Sequence, residues 1–107
     1  MLKDINIVQG VDKSQWIDTR EAVMNTIIRD AESDEKIVVL DADVSKSTRS
    51  RVFREHFPLR HFNVGIAEMH MASMAAAMAA DGMSPYVCSF ATFLALRALE
   101  PIRTQIV

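Results

Sequence analysis

The sequence predicts an α/β fold, a parallel sheet with helices on both faces. Three observations carry that reading. Short strand-like runs alternate with longer segments of helical period. The run Ile37-Val38-Val39-Leu40 is apolar at every position, as a parallel strand covered on both sides must be. Gly or Pro marks the junctions, at Pro58, Gly65 and Gly82.

The elements follow in order. Asp18-Thr19-Arg20-Glu21 reads as a capping box, with Asp18 as cap and Glu21 reaching back. The helix behind it sets Ala22, Val23, Ile27, Ile28 and Ala31 on or near one face and ends in Glu32–Lys36. Ile37–Leu40 is the first strand, and it runs into a polar loop, Asp41–Thr48. A short helix is expected from about Thr48 to Phe57, where Pro58 stops it. His61–Val64 is the second strand. Gly65 turns the chain into a long Ala- and Met-rich helix, with Glu68 at its opening and Gly82 as its C-terminal stop. Pro85–Ser89 is the third strand, and a last helix begins near Ala91. Ligands of such sheets bind beyond the carboxyl ends of the strands. That places Asp41–Thr48, Gly65–Glu68 and Ser89–Phe93 along one rim.

Composition bounds the function. The chain has 107 residues with 12 Lys+Arg against 14 Asp+Glu, a net charge of −2. With 50% hydrophobic and 24% charged residues it has globular averages, which exclude disordered and low-complexity classes. The length suits one domain, 1–107. The near-neutral balance supplies no reason to expect nucleic acid or a membrane as partner. A single cysteine, Cys88, excludes a disulfide framework and suits a reducing compartment. Met1–Asn6 carries no apolar run, so no signal peptide is readable. The apolar tract Ala67–Ala80 is interrupted by Glu68, His70 and Ser73 and is too short to span a bilayer. The expectation is a soluble, cytoplasmic chain.

Charge is unevenly spread. Residues 1–60 hold 21 of the 26 charged side chains, whereas residues 61–96 hold only Glu68 and Asp81. So apolar a stretch should be buried against something. The pattern also stops at Ile106-Val107 without a cap. The reading is therefore an N-terminal piece of a larger domain, incomplete at its C-terminus.

Glu68 is the most informative residue. Desolvation disfavours the charged form of an isolated carboxylate, whereas a helix N-terminus favours it. Such a group is poised to share a proton with a ligand nitrogen; the competing reading is a helix-start glutamate satisfied by backbone N–H groups. His70 is read as a core histidine rather than a metal ligand, and the Met69–Ala80 helix as core or subunit interface. Phe90 and Phe93 are either core aromatics or a stacking surface for a planar heterocycle. The loop residues Asp43, Ser45, Ser47 and Thr48, with Lys46 and Arg49 beside them, suit a sugar phosphate or a solvated loop. With only Gly10, Gly65 and Gly82, the chain has no GxGxxG, Walker A or other Gly-rich phosphate cradle.

Taken together, Thr19-Arg20, Leu40–Thr48, Phe62-Asn63-Val64-Gly65-Ile66-Ala67-Glu68-Met69-His70-Met71, Gly82–Val87, Ser89–Leu94 and Arg97–Arg103 resemble the pyrimidine-binding domain of the transketolase family. The resemblance runs from about Asp18 to the C-terminus. It implies thiamine diphosphate as cofactor and transfer of a two-carbon ketol unit from a ketose phosphate to an aldose phosphate, in the pentose phosphate pathway of carbohydrate metabolism. By the same resemblance, Glu68 hydrogen-bonds N1′ of the aminopyrimidine and promotes its imino tautomer. Phe90 and Phe93 form the aminopyrimidine pocket, Asp43 lies near the thiazolium and an interface, and Arg20 and Ser47 hold the substrate phosphate.

The start of the chain is similar to the separate C-terminal subunit of split transketolases. A partner, the diphosphate-binding N-terminal subunit, would then hold the cofactor diphosphate and its Mg²⁺ or Ca²⁺, in a homo- or hetero-oligomer. This sequence has no Gly-Asp-Gly metal motif of its own. Pro101 departs from the family, standing where a glutamine is common, and should kink the last helix. The spacing from Phe93 to Arg97 is about one residue longer than in several members. Within the family, 1-deoxyxylulose-5-phosphate synthase shares the Val-Gly-Ile-Ala-Glu run and is the alternative, and the β subunit of 2-oxo-acid dehydrogenases shares the glutamate; the Ala-Asp-x-x-x-Ser-Thr segment from Ala42 to Thr48 and the early Met1 favour a transketolase subunit. A non-catalytic interaction module, pairing through the Ala/Met helix, is the reading from another class.

Overall fold

The computed structural model describes residues 14 and 16–106. Met1–Asn6, Gly10 and Val107, which the sequence reading used, lie outside them. Three strands, β1 (Ile37–Asp41), β2 (His61–Asn63) and β3 (Ser84–Cys88), form a parallel sheet in the order β2-β1-β3. Val39 pairs with His61 and Asp41 with Asn63; on the other side Ile37 pairs with Ser84 and Asp41 with Cys88. The expected α/β architecture is therefore the observed one.

The central strand β1 is buried along its whole length. Its alternating side chains serve opposite faces. Ile37 and Val39 pack with Met24, Ile27, Ile28 and Ala31 of helix α1 (Thr19–Ser33) and with Phe53 of helix α3 (Ser50–His56). Val38 and Leu40 pack with Met71 and Ala75 of helix α4 (Glu68–Ala80). Helices thus cover both faces.

Local differences from the sequence reading have physical reasons. The Asp18 cap takes its hydrogen bond from the Arg20 N–H rather than from Glu21, so the box is not closed as expected. The buried stripe of α1 runs Met24, Ile27, Ile28, Ala31, the full i, i+3, i+4, i+7 set, which turns Val23 outward at 58% exposure. The polar loop after β1 contains a helical turn, α2 (Ser45–Thr48). It forms because the buried Asp41 carboxylate accepts from the Val44 N–H at 2.8 Å and from Thr48 Oγ1 at 3.2 Å. Arg49, left-handed at φ 68°, separates α2 from α3 where one helix was expected. A 3₁₀ turn, Pro58–Arg60, leads into β2.

Helix α4 ends as expected at Gly82, at φ 88°. Gly82 N–H donates to Ala79 O and Met83 N–H to Met78 O, both at 3.0 Å, the paired bonds of a Schellman stop. The last helix does break, but at Ala98, between α5 (Ala91–Arg97) and α6 (Leu99–Pro101). Pro101 has no N–H to give the Arg97 carbonyl, and the break falls directly after that carbonyl. A π-helical segment, Ile102–Ile106, follows.

His70 is exposed, which corrects its reading as a core histidine; the histidine in the core is His61. The expectation that residues 61–96 are buried holds for Met71, Ala72 and Ala75 but not for Ile66 at 78% or Leu96 at 74% exposure. Among the described residues no helix is long and apolar enough to cross a membrane.

Candidate active site

All three strands run the same way, so Asp41, Asn63 and Cys88 end them at one edge of the sheet. The connections that leave this edge carry Asp43, Ser47, Glu68, Phe90 and Phe93, whereas Arg20 comes from the first turn of α1.

Asp43 follows β1 in a left-handed conformation, φ 62°. Its N–H donates to Asn63 Oδ1 at 3.0 Å, and Asn63 Nδ2 donates back to Asp43 Oδ1 at 3.2 Å. The same Asn63 oxygen accepts from the Gly65 N–H at 2.9 Å. One side chain at the end of β2 thus ties the loop after β1 to the turn that launches α4. Gly65, at φ 79°, supplies the left-handed backbone that turn needs.

Glu68 opens α4 and is 5% exposed. Its carboxylate is not spent on the helix N-terminus: Oε1 accepts from Arg97 Nη1 at 3.2 Å, and Oε2 accepts no hydrogen bond from the described residues. The Arg97 guanidinium lies 3.9 Å from the centre of the Phe93 ring, a cation–π contact that follows from their i, i+4 spacing on α5. Phe93 and Phe90 meet edge-to-face with ring centres 5.4 Å apart. Phe90 is exposed and Phe93 half-buried, so neither is an ordinary core aromatic. A buried carboxylate, a guanidinium and two aromatic rings are therefore linked at the rim.

A second cluster lies across the β1–β3 rim. A cleft of about 410 Å³ is lined by Arg20, Ser47, Thr48, Ser89 and Phe90, among others. Arg20 Nη1 donates to the Ser47 carbonyl at 2.9 Å. The other edge of Arg20 faces Asp18: Nε donates to Oδ1 at 2.9 Å, and Nη2 is in contact with Oδ2. That pairing, together with the bond from the Arg20 N–H, pulls the Asp18 carboxyl down to about 2. Glu68, Phe93 and Asp43 do not line this cleft; Phe90 is the residue common to it and to the glutamate cluster.

Beneath the rim, the Asp41 carboxylate also accepts from Ser50 Oγ at 2.7 Å. Ser50 Oγ lies 3.4 Å from His61 Nε2. Burial pushes the His61 imidazole below its usual range, and burial pushes the Cys88 thiol up to about 11. That disfavours the Cys88 thiolate at neutral pH. No group of three or more metal-ligating side chains occurs among the described residues.

Sequence reasoning passed over Arg97, Asp41 and Asn63. The Phe93–Arg97 spacing of four was a readable signal for the first. The other two depend on strand register, which no local pattern reveals.

The family described as transketolase, pyrimidine binding domain, matches residues 15–107. The chain belongs to that family. This pyrimidine-binding domain is 41% identical over 87 residues to a putative transketolase C-terminal section from Methanocaldococcus jannaschii, covering 81% of this chain and 28% of the relative. It is 46% identical over 77 residues to the 1-deoxy-D-xylulose-5-phosphate synthase of Gloeobacter violaceus, covering 72% of this chain and 12% of that enzyme. The counterpart from Clostridium perfringens is 44% identical over 68 residues, or 64% of this chain and 11% of that enzyme. Among solved structures, a split-gene transketolase described as an inactive beta4 tetramer superposes with a TM-score of 0.73 at 45% identity, over 81% of this chain and 29% of that one. The chain thus spans less than a third of the length of these relatives.

The pyrimidine-binding domain implies thiamine diphosphate as the cofactor of the family. The residues present fit its aminopyrimidine ring. A planar heterocycle with ring nitrogens needs an aromatic wall and a carboxyl able to share a proton, and Phe90, Phe93 and Glu68 supply both at one rim.

Proposed function

We propose that this chain carries the aminopyrimidine-binding half of a thiamine-diphosphate site and works in transfer of a two-carbon ketol unit from a ketose phosphate to an aldose phosphate. The observation that carries the reading is Glu68: a carboxylate 5% exposed, held on one oxygen by Arg97 and accepting nothing on the other from the described residues, beside two aromatic rings. When bound, thiamine diphosphate supplies the nucleophilic thiazolium carbon that takes up the two-carbon unit.

This chain's residues position and polarise the cofactor. With the cofactor bound, Glu68 Oε2 would share a proton with ring nitrogen N1′. Arg97 fixes the carboxylate from the other oxygen and is itself braced on Phe93. Phe90 and Phe93 would stack on the ring and keep water from the shared proton. Asp43, held by Asn63, would face the thiazolium and a subunit interface. Arg20 and Ser47 line a separate cleft suited to the phosphate of the sugar. A diphosphate-binding subunit in the same oligomer holds the diphosphate and its Mg²⁺ or Ca²⁺. The cytoplasm is the compartment this assignment suits.

Glu68→Gln in the assembled complex tests the reading. Glutamine keeps the shape and a hydrogen bond but cannot exchange the proton, so kcat should fall at least about a hundredfold. Exchange of the cofactor C2 proton, followed by NMR, should slow in parallel, whereas Met74→Leu on the same helix should leave it nearly unchanged. C2 exchange as fast in Glu68→Gln as in the parent would reduce Glu68 to a helix-start residue and return the interaction-module reading. Identity of 44–46% to 1-deoxy-D-xylulose-5-phosphate synthases favours formation of that product as the second reading. Direct assay of the complex for ketol transfer and for 1-deoxy-D-xylulose 5-phosphate separates the two.

A further inference from the structure

The Asp18 carboxylate lies between two guanidiniums. Arg20 engages it along the Nε/Nη2 edge, and Arg49 Nη2 approaches the same Oδ2 to 3.8 Å. The two arginines come from different elements, Arg20 from the first turn of α1 and Arg49 from the left-handed junction of α2 and α3. Nothing in local sequence brings them together; the α1–β1–α3 packing does. A tetrahedral anion recognised by paired guanidiniums would occupy this place. Arg49 has donor capacity in reserve, because its Nε is buried and has no hydrogen-bond partner among the described residues. Arg20 joins this cluster to the cleft: it lines the cleft with Ser47, whose carbonyl accepts from Arg20 Nη1 at 2.9 Å, whereas Asp18 and Arg49 lie outside the lining.

We propose that Asp18 is a specificity-determining residue: an internal counter-anion that occupies the space between Arg20 and Arg49 and competes with the phosphate of the substrate for them. This rests on the reading of Arg20 and Ser47 as the phosphate site. Its consequence is a deliberately weakened site. With Asp18 in place, two guanidiniums carry one compensating charge, and a phosphate gains only by displacing it. Without the carboxylate, small anions of any kind would compete for the bare arginine pair. The carboxylate therefore sets a threshold that a dianionic sugar phosphate passes more readily than a monoanion, because the attraction scales with charge.

Asp18→Asn is the decisive variant. Asparagine caps helices as well as aspartate, so α1 keeps its start while the charge is removed. The probe is inorganic phosphate, titrated into the chain at low ionic strength, with the Arg20 and Arg49 Nε–Hε resonances followed by NMR. In the parent chain phosphate should shift both resonances. In Asp18→Asn the apparent Kd should tighten about fivefold, and the gain should shrink toward about 0.15 M salt as screening sets in. Chloride should perturb the Asp18→Asn chain and leave the parent unchanged. Phosphate binding with equal or lower affinity in Asp18→Asn would overturn the competition and leave the phosphate site standing. Phosphate that shifts neither arginine in either chain would sink the phosphate assignment itself, as would Arg20→Ala that binds phosphate like the parent.

Discussion

His61 is a titratable residue whose surroundings oppose its charge. It is buried at the start of β2, Nδ1 has no hydrogen-bond partner, and Nε2 reaches only Ser50 Oγ at 3.4 Å. Burial lowers its pKa from 6.5, Asp41 pulls it back up, and the Arg54 guanidinium pushes it further down. A folded-state pKa below the unfolded one means that the unfolded chain binds the proton more readily. The contribution is therefore complete above pH 6.5 and is lost as the pH falls through the depressed folded-state pKa. Thermal melts should show Tm declining as the pH falls from about 7 to about 5, and His61→Phe should flatten that decline. Parallel slopes in parent and variant would assign the acid sensitivity to other groups. Glu68 stands at the other extreme of legibility. One carboxylate in an apolar stretch is visible from the chain alone, and its burial agrees with that reading. Arg97 was readable through its spacing to Phe93, but its bond to Glu68 spans 29 positions and needs α4 and α5 packed together.

Elements were legible where residues act alone and obscure where they act through distant partners. β1 and α4 follow from unbroken apolarity and from Gly65 and Gly82. The turn α2 does not, because Ser45–Thr48 is polar and wound by a carboxylate at the end of a strand. The Asp43–Asn63 tie was hidden for the same reason, since its partners meet only through β1–β2 register. Arg49 and Ala98, where helices break, carry no Gly or Pro of their own; the second break follows from Pro101 three positions on. Gly82 offers a clean test of an element boundary. A Cβ there meets nothing within 4 Å, so Gly82→Ala costs only the left-handed backbone. Stability should fall by about 1–2 kcal/mol, or about 4–8 °C in Tm for each kcal/mol. Gly82→Asn should cost less, because asparagine tolerates this conformation. Equal melting of Gly82→Ala and the parent would show that the Schellman stop contributes nothing.

For the whole molecule, what remains uncovered is as informative as the core. Ile66, Met69, Phe90, Leu96 and Leu99 are exposed, and they cluster in sequence on the connections and helices around the glutamate site. Large apolar side chains in such number mark surfaces that take partners. The described residues include no cluster of three or more metal-ligating side chains, and the sequence has no Gly-rich cradle for a diphosphate. Thiamine diphosphate with Mg²⁺, titrated calorimetrically into this chain alone, should therefore give no saturable binding. Addition of a diphosphate-binding transketolase subunit should produce binding that a chelator abolishes. Saturable binding by the chain alone would overturn the division of the site between two polypeptides.

Arg60 shows how the parts of the molecule depend on one another. Helix α1 has no basic residue in its last turn, and its terminal carbonyls are met instead by Arg60, at 2.9 Å to Ala31 O and 3.0 Å to Asp34 O. The guanidinium is steadied on the Phe57 ring, 4.0 Å from its centre. The end of the first helix is thus finished by a side chain 29 positions later, beyond β1, α2 and α3. Fraying of the end of α1 is therefore coupled to undocking of the 3₁₀ turn that carries Arg60.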